Sequence, residues 1–243
     1  FEVSEDVTAF YLMAGASFGR LELVGGIRYE DTRADYAAYQ LLFEDGDLDP
    51  AAPYIRGGKD YDHTLPGLHL RYALRDDLLL RAAWTNTIGR PAYESLVPFR
   101  KFEIDPDGAV FEGSLEQGNP DLEALESMNL DVSVEWYLEP AGLLSVGLFS
   151  KDVDNPIFTQ VTTLENAIFE GRPFSELAIV QPQNAPSGEL MGLELNYQQQ
   201  FVALPAPFDG LGIALNYTYT DGEATLFDRD GQVPCQIDGG LKC

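Results

Sequence analysis

The strict alternation of apolar and polar residues over residues 127–138 constrains the fold of this chain more than any other feature of its sequence. The apolar members are Met128, Leu130, Val132, Val134, Trp136 and Leu138, and the polar members are Asn129, Asp131, Ser133, Glu135 and Tyr137. A period of two places successive side chains on opposite faces of a β-strand, whereas helical spacing does not fit. Residues 20–30 alternate in the same way. The sequence therefore predicts strands that have one apolar and one polar face.

Further strands are predicted at residues 7–18, 65–74, 78–87, 143–153, 189–201 and 211–220, which gives about eight strands in all. Several of them run for about 10 to 14 residues, longer than the usual 5 to 6 of a soluble sheet and close to the 9 to 11 that a tilted strand needs to cross a bilayer. Alternation alone also fits a soluble sandwich. The strand length favours a membrane-spanning sheet.

The connections between the predicted strands alternate between short and long. The short connections are residues 19–20, 75–77, 139–142 and 202–210, and the long polar ones are 31–60, 88–126, 154–188 and 221–243. Short periplasmic turns and long extracellular loops are typical of an outer-membrane barrel. Because every backbone amide in lipid must be paired, such a sheet has to close on itself. The predicted fold class is therefore all-β, an antiparallel transmembrane β-barrel.

Composition excludes several other classes of protein. The net charge of −25 disfavours binding to a nucleic-acid backbone. No run approaches the roughly 18 to 20 apolar residues of a membrane helix, and no signal-peptide pattern is present. The sequence starts at Phe1 rather than at Met and stops just after a run of turn residues. We therefore expect a fragment of a larger barrel, with about eight of its strands.

Three groups of motifs resemble the barrel of TonB-dependent receptors when they are taken together and in order. The first is Leu65-Pro66-Gly67-Leu68-His69-Leu70-Arg71-Tyr72, then Leu78-Leu79-Leu80-Arg81-Ala82-Ala83-Trp84-Thr85 and Ile88-Gly89-Arg90-Pro91. The second is Gly118-Asn119-Pro120-Asp121-Leu122 followed by Glu126-Ser127, Asn129-Leu130-Asp131 and Glu135-Trp136-Tyr137. The third is Gly147-Leu148-Phe149-Ser150-Lys151-Asp152-Val153 with Asn155-Pro156-Ile157, and Gly192-Leu193-Glu194 follows it. One departure is Glu123-Ala124-Leu125, where the family often carries a Lys-Pro pair.

The resemblance implies a barrel of roughly 22 strands that is closed by an N-terminal plug domain. Such a receptor lies in the outer membrane of a Gram-negative bacterium and takes up a scarce small nutrient, such as a siderophore, vitamin or oligosaccharide, with energy passed through TonB. Residues 1–243 are then a partial barrel domain that supplies wall and loops, and the plug and the TonB-contacting segment are absent from it. The implied partners are the TonB complex, the plug, outer-membrane lipid and the substrate.

Two other function classes remain open from the sequence. A passive porin would lack the plug, and a soluble β carbohydrate-binding module would dissolve without detergent. No cofactor and no enzymatic activity are expected, because no Ser nucleophile motif is present and no pair of carboxylates is singled out. His63 and His69 have no Cys or carboxylate at ligand spacing, so a metal site is not expected either.

Residue roles follow from position along the predicted strands. The polar residues expected to face the lumen are Glu22, Arg28, Arg71, Arg81, Asp131, Glu135 and Glu194. Candidate substrate contacts near the barrel mouth are Arg90, Tyr93 and Asn119, although Arg90-Pro91 and Asn119-Pro120 also suit strand ends, where Pro terminates pairing. Cys235 and Cys243 are close enough in sequence to form a disulfide in an oxidising compartment.

Overall fold

The computed structural model describes residues 1–107, 109–208, 210–227, 234–237 and 241–242 of the chain. Its strands are β1 (Glu2–Phe18), β2 (Leu21–Glu44), β3 (Asp47–Leu48), β4 (Tyr54–Arg75), β5 (Leu78–Gly89), β6 (Arg100–Asp107), β7 (Val110–Gln117), β8 (Leu125–Leu138), β9 (Gly142–Asp154), β10 (Ile157–Phe169), β11 (Arg172–Asn184), β12 (Ser187–Gln200), β13 (Gly212–Phe227), β14 (Pro234–Ile237) and β15 (Leu241–Lys242). The one helix among these residues, α1 (Tyr93–Leu96), is a single turn. No described helix is long and apolar enough to cross a membrane.

Eight long antiparallel strands form a continuous curled sheet, which we call the wall. Their order across the sheet is β1-β2-β4-β5-β8-β9-β12-β13. Each of the eight predicted strands overlaps one of them, so those predictions are confirmed. The turns predicted to be short join β1 to β2, β4 to β5, β8 to β9 and β12 to β13. Gly19 takes a φ of 61° in the two-residue turn between β1 and β2. Glycine reaches this left-handed conformation without the steric cost that a Cβ would bring.

Much of what the sequence predicted as long loops is paired strand. β2 continues to Glu44 and β4 begins at Tyr54, so the polar segment 31–60 is mostly an extension of the wall. Alternation continues here with the two faces exchanged. Arg33 and Asp35 are exposed, whereas Thr32, Ala34 and Tyr36 are buried on the face that carries Glu22 and Arg28 earlier in the strand. The segment is polar overall, which favours the loop interpretation from sequence alone.

Segments 88–126 and 154–188 together form a second layer, which we call the cap. Its four strands continue the sheet in the order β10-β11-β7-β6-β2. β6 pairs parallel to the end of β2, between Gln40 and Glu44, and β11 pairs parallel to β7. These two parallel pairings involve the cap strands, whereas every pairing within the wall is antiparallel as predicted. Parallel neighbours come from distant parts of the chain, and hydrophobic periodicity carries no information about strand direction.

Two groups of buried residues position the cap. Its own core consists of Phe102, Ile104, Leu115, Phe174 and Leu177. A second cluster joins it to the wall, because Leu96 and Leu122 of the cap pack against Ala34 and Tyr36 of β2. The cap therefore packs against the extended part of β2. The predicted disulfide involves Cys243, which lies outside the described residues.

Candidate functional site

One face of the wall is apolar across all eight strands. Residues that are paired across a sheet project from the same face, so the register identifies each face row by row. One row contains Ala16, Leu23, Leu70, Ala82, Val132, Leu148, Leu193 and Tyr219, and the next contains Phe18, Leu21, Tyr72, Leu80, Val134, Val146, Leu195 and Tyr217. No charged side chain occurs in either row.

These apolar side chains are uncovered. Leu148 is 57% exposed, Met191 53% and Leu130 51%. Soluble monomers rarely expose a continuous apolar patch of more than a few hundred Å², so an apolar band across eight strands indicates contact with an apolar medium. This arrangement is the lipid-facing pattern of a transmembrane barrel.

The apolar band runs obliquely across the strands. The register row of Tyr219 ends at Ala16 on β1, but the apolar face of β1 continues to Phe10, six positions earlier in the chain. Such a slant is what the tilted strands of a barrel produce. Acidic side chains begin on this face beyond the band, in the cross-strand pairs Asp31 with Asp62, Asp152 with Glu189, and Glu189 with Glu223. They mark its polar edge.

The opposite face of the wall is polar and carries the seven residues predicted to face a lumen. One register row contains Ser17, Glu22, Arg71, Arg81, Ser133, Gly147, Glu194 and Thr218. Arg28 lies an even number of positions from Glu22, and Asp131 and Glu135 flank Ser133 at two positions. All seven therefore lie on one face. That this face lines a lumen stays a prediction.

Ion pairs connect neighbouring strands along the polar face. Arg71 Nη1 lies 2.9 Å from Glu22 Oε1, and Arg81 Nε lies 2.8 Å from Glu135 Oε1. The hydroxyl of Tyr137 donates to the other carboxylate oxygen of Glu135 at 3.0 Å. Because these groups are partly exposed, each pair contributes only about 0 to 1 kcal/mol to stability. Their main consequence is a charged, hydrated surface.

A buried polar cluster around Asn129 was not singled out by the sequence. Lys151 Nζ donates to Asn129 Oδ1 at 3.1 Å, and Ser127 Oγ donates to the same oxygen at 3.0 Å. The Asn129 amide donates in turn to Thr87 Oγ1 at 3.2 Å. The sequence indicates only that Ser127 and Asn129 lie on the polar side of β8. Their partners come from β5 and β9, and the register of β8 with these two strands places the side chains next to each other.

Arg90 is the centre of a charged network where the wall meets the cap. Its Nη2 lies 2.5 Å from Glu30 Oε2, and its Nε lies 3.8 Å from Glu5 Oε1. Arg28 Nε lies 2.5 Å from the other oxygen of Glu30. Arg90 directly follows β5, so the network ties the entrance of the cap to β1 and β2. This contact is within the protein, and Arg90 retains 30% side-chain exposure.

Two tyrosines with buried hydroxyls, Tyr36 and Tyr61, lie beside this network. The hydroxyls of Tyr36 and Tyr61 have no hydrogen-bond partner among the described residues. Burial raises the pKa of Tyr36 to about 12, and the nearby Tyr61 and Glu5 add to the shift. Burial also raises the pKa of Tyr61, with a further contribution from Glu5. Both phenols are therefore neutral at physiological pH.

His63 has a carboxylate neighbour that the sequence did not indicate. Its Nε2 lies 3.4 Å from Glu126 Oε1, although the two residues belong to different strands. Among the described residues, however, no three His, Cys, Asp or Glu side chains converge as a metal site would require. The contact is a pairwise one between β4 and β8.

Tyr93 and Asn119 lie close together in the cap. The backbone amide of Asn119 donates to Ser95 O at 2.7 Å, which brings its loop against α1. The Asn119 side chain donates to Pro182 O at 3.0 Å and accepts from the Asp121 amide at 3.1 Å. Asn119 thus holds the loop to β11, whereas Tyr93, at the start of α1, is 51% exposed. Of the three predicted substrate contacts, Tyr93 is the most accessible.

An open cavity of about 700 Å³ lies near the Arg90 network. Its lining includes Tyr11, Gly26, Arg28, Gly67, His69 and Thr85. Gly26 and Gly67 are cross-strand partners, and a Cβ on Gly26 would come within 2.9 Å of Leu12 O. The absence of side chains at this pair leaves the depression in the polar face.

Solved structures with a similar fold are receptors and transporters. A mutant of the ferric enterobactin receptor PfeA from Pseudomonas aeruginosa is 17% identical, with a TM-score of 0.54 over 92% of this chain and 39% of that chain. The copper transporter OprC is 13% identical, with a TM-score of 0.62 over 96% of this chain and 32% of that chain. A double mutant of the Serratia marcescens hemophore receptor HasR, in complex with HasA and heme, is 13% identical, with a TM-score of 0.50 over 96% and 43%.

At such identities the likeness concerns the fold alone, and the chain spans less than half the length of each of these proteins. No curated protein matches its sequence. A family model described as "TonB dependent receptor-like, beta-barrel" matches residues 2–234, almost the whole chain. The two-faced wall, its slanted apolar band and its long strands agree with that match. The chain therefore belongs to the TonB-dependent receptor β-barrel family.

Proposed function

We propose that this chain forms part of the wall and of the extracellular cap of an outer-membrane receptor in a Gram-negative bacterium. The receptor takes up a scarce small nutrient, such as a siderophore, vitamin or oligosaccharide, into the periplasm with energy passed through TonB. The observation that carries the proposal is the wall itself, which has an uncovered apolar face and an opposite, charged face along all eight strands. The family match covers residues 2–234.

In this function the apolar face contacts lipid and the polar face lines the lumen. The position of the cap supports that orientation. Leu96 and Leu122 pack on Ala34 and Tyr36, which lie at even positions of β2, as Glu22 and Arg28 do. The cap therefore overhangs the polar face, on the side where the mouth of a barrel opens. Charged pairs such as Arg71 with Glu22 keep the lumen wall hydrated.

The three predicted substrate contacts take different roles in this proposal. Tyr93 meets the substrate directly, because its ring is exposed and an aromatic ring stacks well on a sugar or on an aromatic ligand. Arg90 and Asn119 act as positioning residues, since the contacts of Arg90 with Glu30 and of Asn119 with Pro182 hold the segment that carries Tyr93. No catalytic step and no cofactor are part of this function.

The remaining partners belong to the parent protein rather than to these residues. A plug domain closes the lumen, and a TonB-contacting segment couples it to the inner membrane. The polar face, which includes Arg81, Asp131 and Glu194, offers both charges to such a plug. The bilayer itself is the partner of the apolar face.

The first test is uptake by cells that produce the full-length receptor. A strain that lacks the gene is complemented with it, and uptake of radiolabelled siderophores, vitamins and oligosaccharides is compared with and without a functional TonB. We expect uptake of one substrate class that requires both the receptor and TonB. Uptake that is unchanged without TonB would contradict the proposal and favour the passive porin.

Substitution of Tyr93 tests the assigned contact. Tyr93→Ala removes the exposed ring, and we expect the KM for uptake to rise about tenfold, equivalent to about 1.4 kcal/mol. Tyr39→Ala is the matched control, because Tyr39 is also exposed, at 55%. It lies at an odd position in the extended part of β2, on the face opposite to the one that the cap overhangs. An equal effect of both substitutions would show that Tyr93 has no specific role.

A further inference from the structure

The free edge of β10 is unusual among the strands of the cap. β10 pairs with β11 on one side and is the terminal strand of the sheet, so within the described part of the chain its other edge has no partner. An unpaired edge presents a row of free backbone N–H and C=O groups, which is a template for another strand.

β10 lacks the features that usually protect such an edge. Its thirteen residues include a single charged one, Glu165, and contain no Pro, Lys or Arg. The remainder is rich in Thr, Ile, Val and Phe, residue types that favour extended structure. Val161 is 62% exposed and Ile168 80%. Native proteins ordinarily place charges, Pro or a covering element at an exposed edge.

The usable part of the edge is residues 157–165. Asn166 takes a φ of 50°, and the regular pairing with β11 is interrupted at that residue. Toward the sheet, Leu164 packs on the core of the cap and holds the strand in place. Thr159, Val161 and Thr163 point away from that core and are exposed. An added strand would therefore meet a rigid edge with small or β-branched side chains.

The acidic residues around β10 favour a basic partner. The only basic residues of the four cap strands are already paired with carboxylates, as follows: Arg100 with Glu170 at 2.8 Å, Lys101 with Glu103 at 2.8 Å, and Arg172 with Glu44 at 3.2 Å. Glu165 lies directly opposite Glu176, so two like charges face each other beside the edge. A basic partner would relieve this repulsion, whereas a second copy of a chain with net charge −25 would add to it.

We propose that the free edge of β10, over residues 157–165, binds an extended basic peptide segment of a protein partner as an additional strand. Main-chain hydrogen bonds supply the affinity in this mode of recognition, and the charge and size of alternate side chains supply the selectivity. No residue of this edge lines the cavity beside Arg90. The site makes the cap a protein-docking surface in addition to its role in the proposed uptake of small molecules.

The test uses the purified full-length receptor in detergent and a fluorescent peptide of about nine residues, in which Lys alternates with Val and Thr. Binding is followed by fluorescence anisotropy. A peptide of the same charge with N-methyl groups on its hydrogen-bonding amides, and one with Glu in place of Lys, are compared with it. We expect both to bind at least about tenfold more weakly, because the first loses several hydrogen bonds and the second loses the charge match.

The receptor variant for this test is the double substitution Val161→Lys and Thr163→Lys, which places two charges on the exposed side of the edge. We expect binding of the basic peptide to fall at least about tenfold. Ile168→Lys is the matched control for the single substitution Val161→Lys, because each adds one charge at an exposed position of β10. Ile168 lies beyond Asn166, so the affinity of its variant should stay within about twofold.

Two results would overturn the inference. Equal binding of the N-methylated peptide would show that charge alone attracts it, without strand addition. Hydrogen exchange of the β10 amides that do not bond to β11 decides the other point, because the amides of successive residues point to opposite sides of a strand. If these outward amides are already protected in the receptor before peptide is added, another segment of the receptor or a second copy covers the edge. Protection that appears only with the unmethylated peptide supports the proposal.

Discussion

The wall and the cap are built from the same period-two pattern, yet they bury their apolar side chains in opposite ways. On the wall, Leu130 is 51% exposed on a face that nothing in the described part of the chain covers. In the cap, Leu177 and Phe174 are 0% and 1% exposed within a core of their own. Alternation thus predicts that a strand has an apolar face but not what will cover it. In the wall the covering medium is lipid, and in the cap it is protein.

Strand length separates only part of the cap from the wall. β8 of the wall has 14 residues, enough to cross a bilayer, and β10 and β11 of the cap have 13 each, whereas β6 and β7 have 8 each. A membrane sets a minimum length for the wall strands, and no such limit acts on the cap. The substitutions below should therefore affect the two regions differently.

The largest effect is expected in the cap core. Phe174→Ala removes a fully buried ring that packs against Phe102 and Phe111, and we expect it to destabilise the cap by about 3 to 5 kcal/mol. Limited proteolysis of the full-length receptor measures this as faster cleavage within residues 91–124 and 155–186. The wall should keep its resistance to unfolding in detergent, which gel mobility without heating reports. Simultaneous loss of both would show that wall and cap unfold as one unit.

The second effect compares neighbouring residues of β8 on opposite faces. Val132→Arg places a charge in the middle of the apolar face and is expected to destabilise the wall by about 2 to 4 kcal/mol. Asp131→Arg places the same side chain on the polar face, where water is available, and should cost less than about 1 kcal/mol. Urea unfolding in lipid vesicles measures both. Equal costs would contradict the assignment of lipid to the apolar face.

The smallest effect is expected where the wall meets the cap. Tyr36→Phe removes a buried hydroxyl without a partner among the described residues, so stability at neutral pH should stay the same or rise by up to about 1 kcal/mol. Because burial raises the pKa of Tyr36 from 10.0 to about 12, its contribution is complete below pH 10 and is lost as the pH rises toward 12. The receptor with Tyr36 should therefore lose more stability over that range than the variant.

Thermal unfolding at a series of alkaline pH values, together with tyrosinate absorbance, measures this difference. Tyr61→Phe is the parallel substitution, since the hydroxyl of Tyr61 is also buried and its pKa is also raised. Identical alkaline unfolding of the Tyr36→Phe variant and the unmodified receptor would show that Tyr36 remains accessible to solvent.

The sequence predicted the wall well because a single requirement acts on every strand of it. Each strand must present an apolar face to lipid over the full thickness of the bilayer, so the alternation is long and regular in β8 and β2. No such requirement acts on the cap. Its strands β6 and β7 are short, its core draws Phe102 from one segment and Phe174 from another, and two of its pairings are parallel.

The candidate site shows the same division. The seven polar residues predicted to share a face do so, because their positions depend only on alternation within each strand and on the order of neighbouring strands. The network of Arg90 with Glu30 and Glu5, and the cluster of Asn129 with Lys151, could not be predicted. Those contacts depend on the register between strands, which alternation within a single strand does not specify.

The sequence by itself determined which side chains of the wall share a face, because a period of two is a property of the extended backbone. It also identified the family through the order of short motifs. Only the tertiary structure decided that the polar segments 88–126 and 154–188 fold into a cap with its own core, that this cap overhangs the polar face, and that β10 is left with a free edge. These features arise from pairing between distant segments, and local sequence patterns do not encode which distant segment will be the partner.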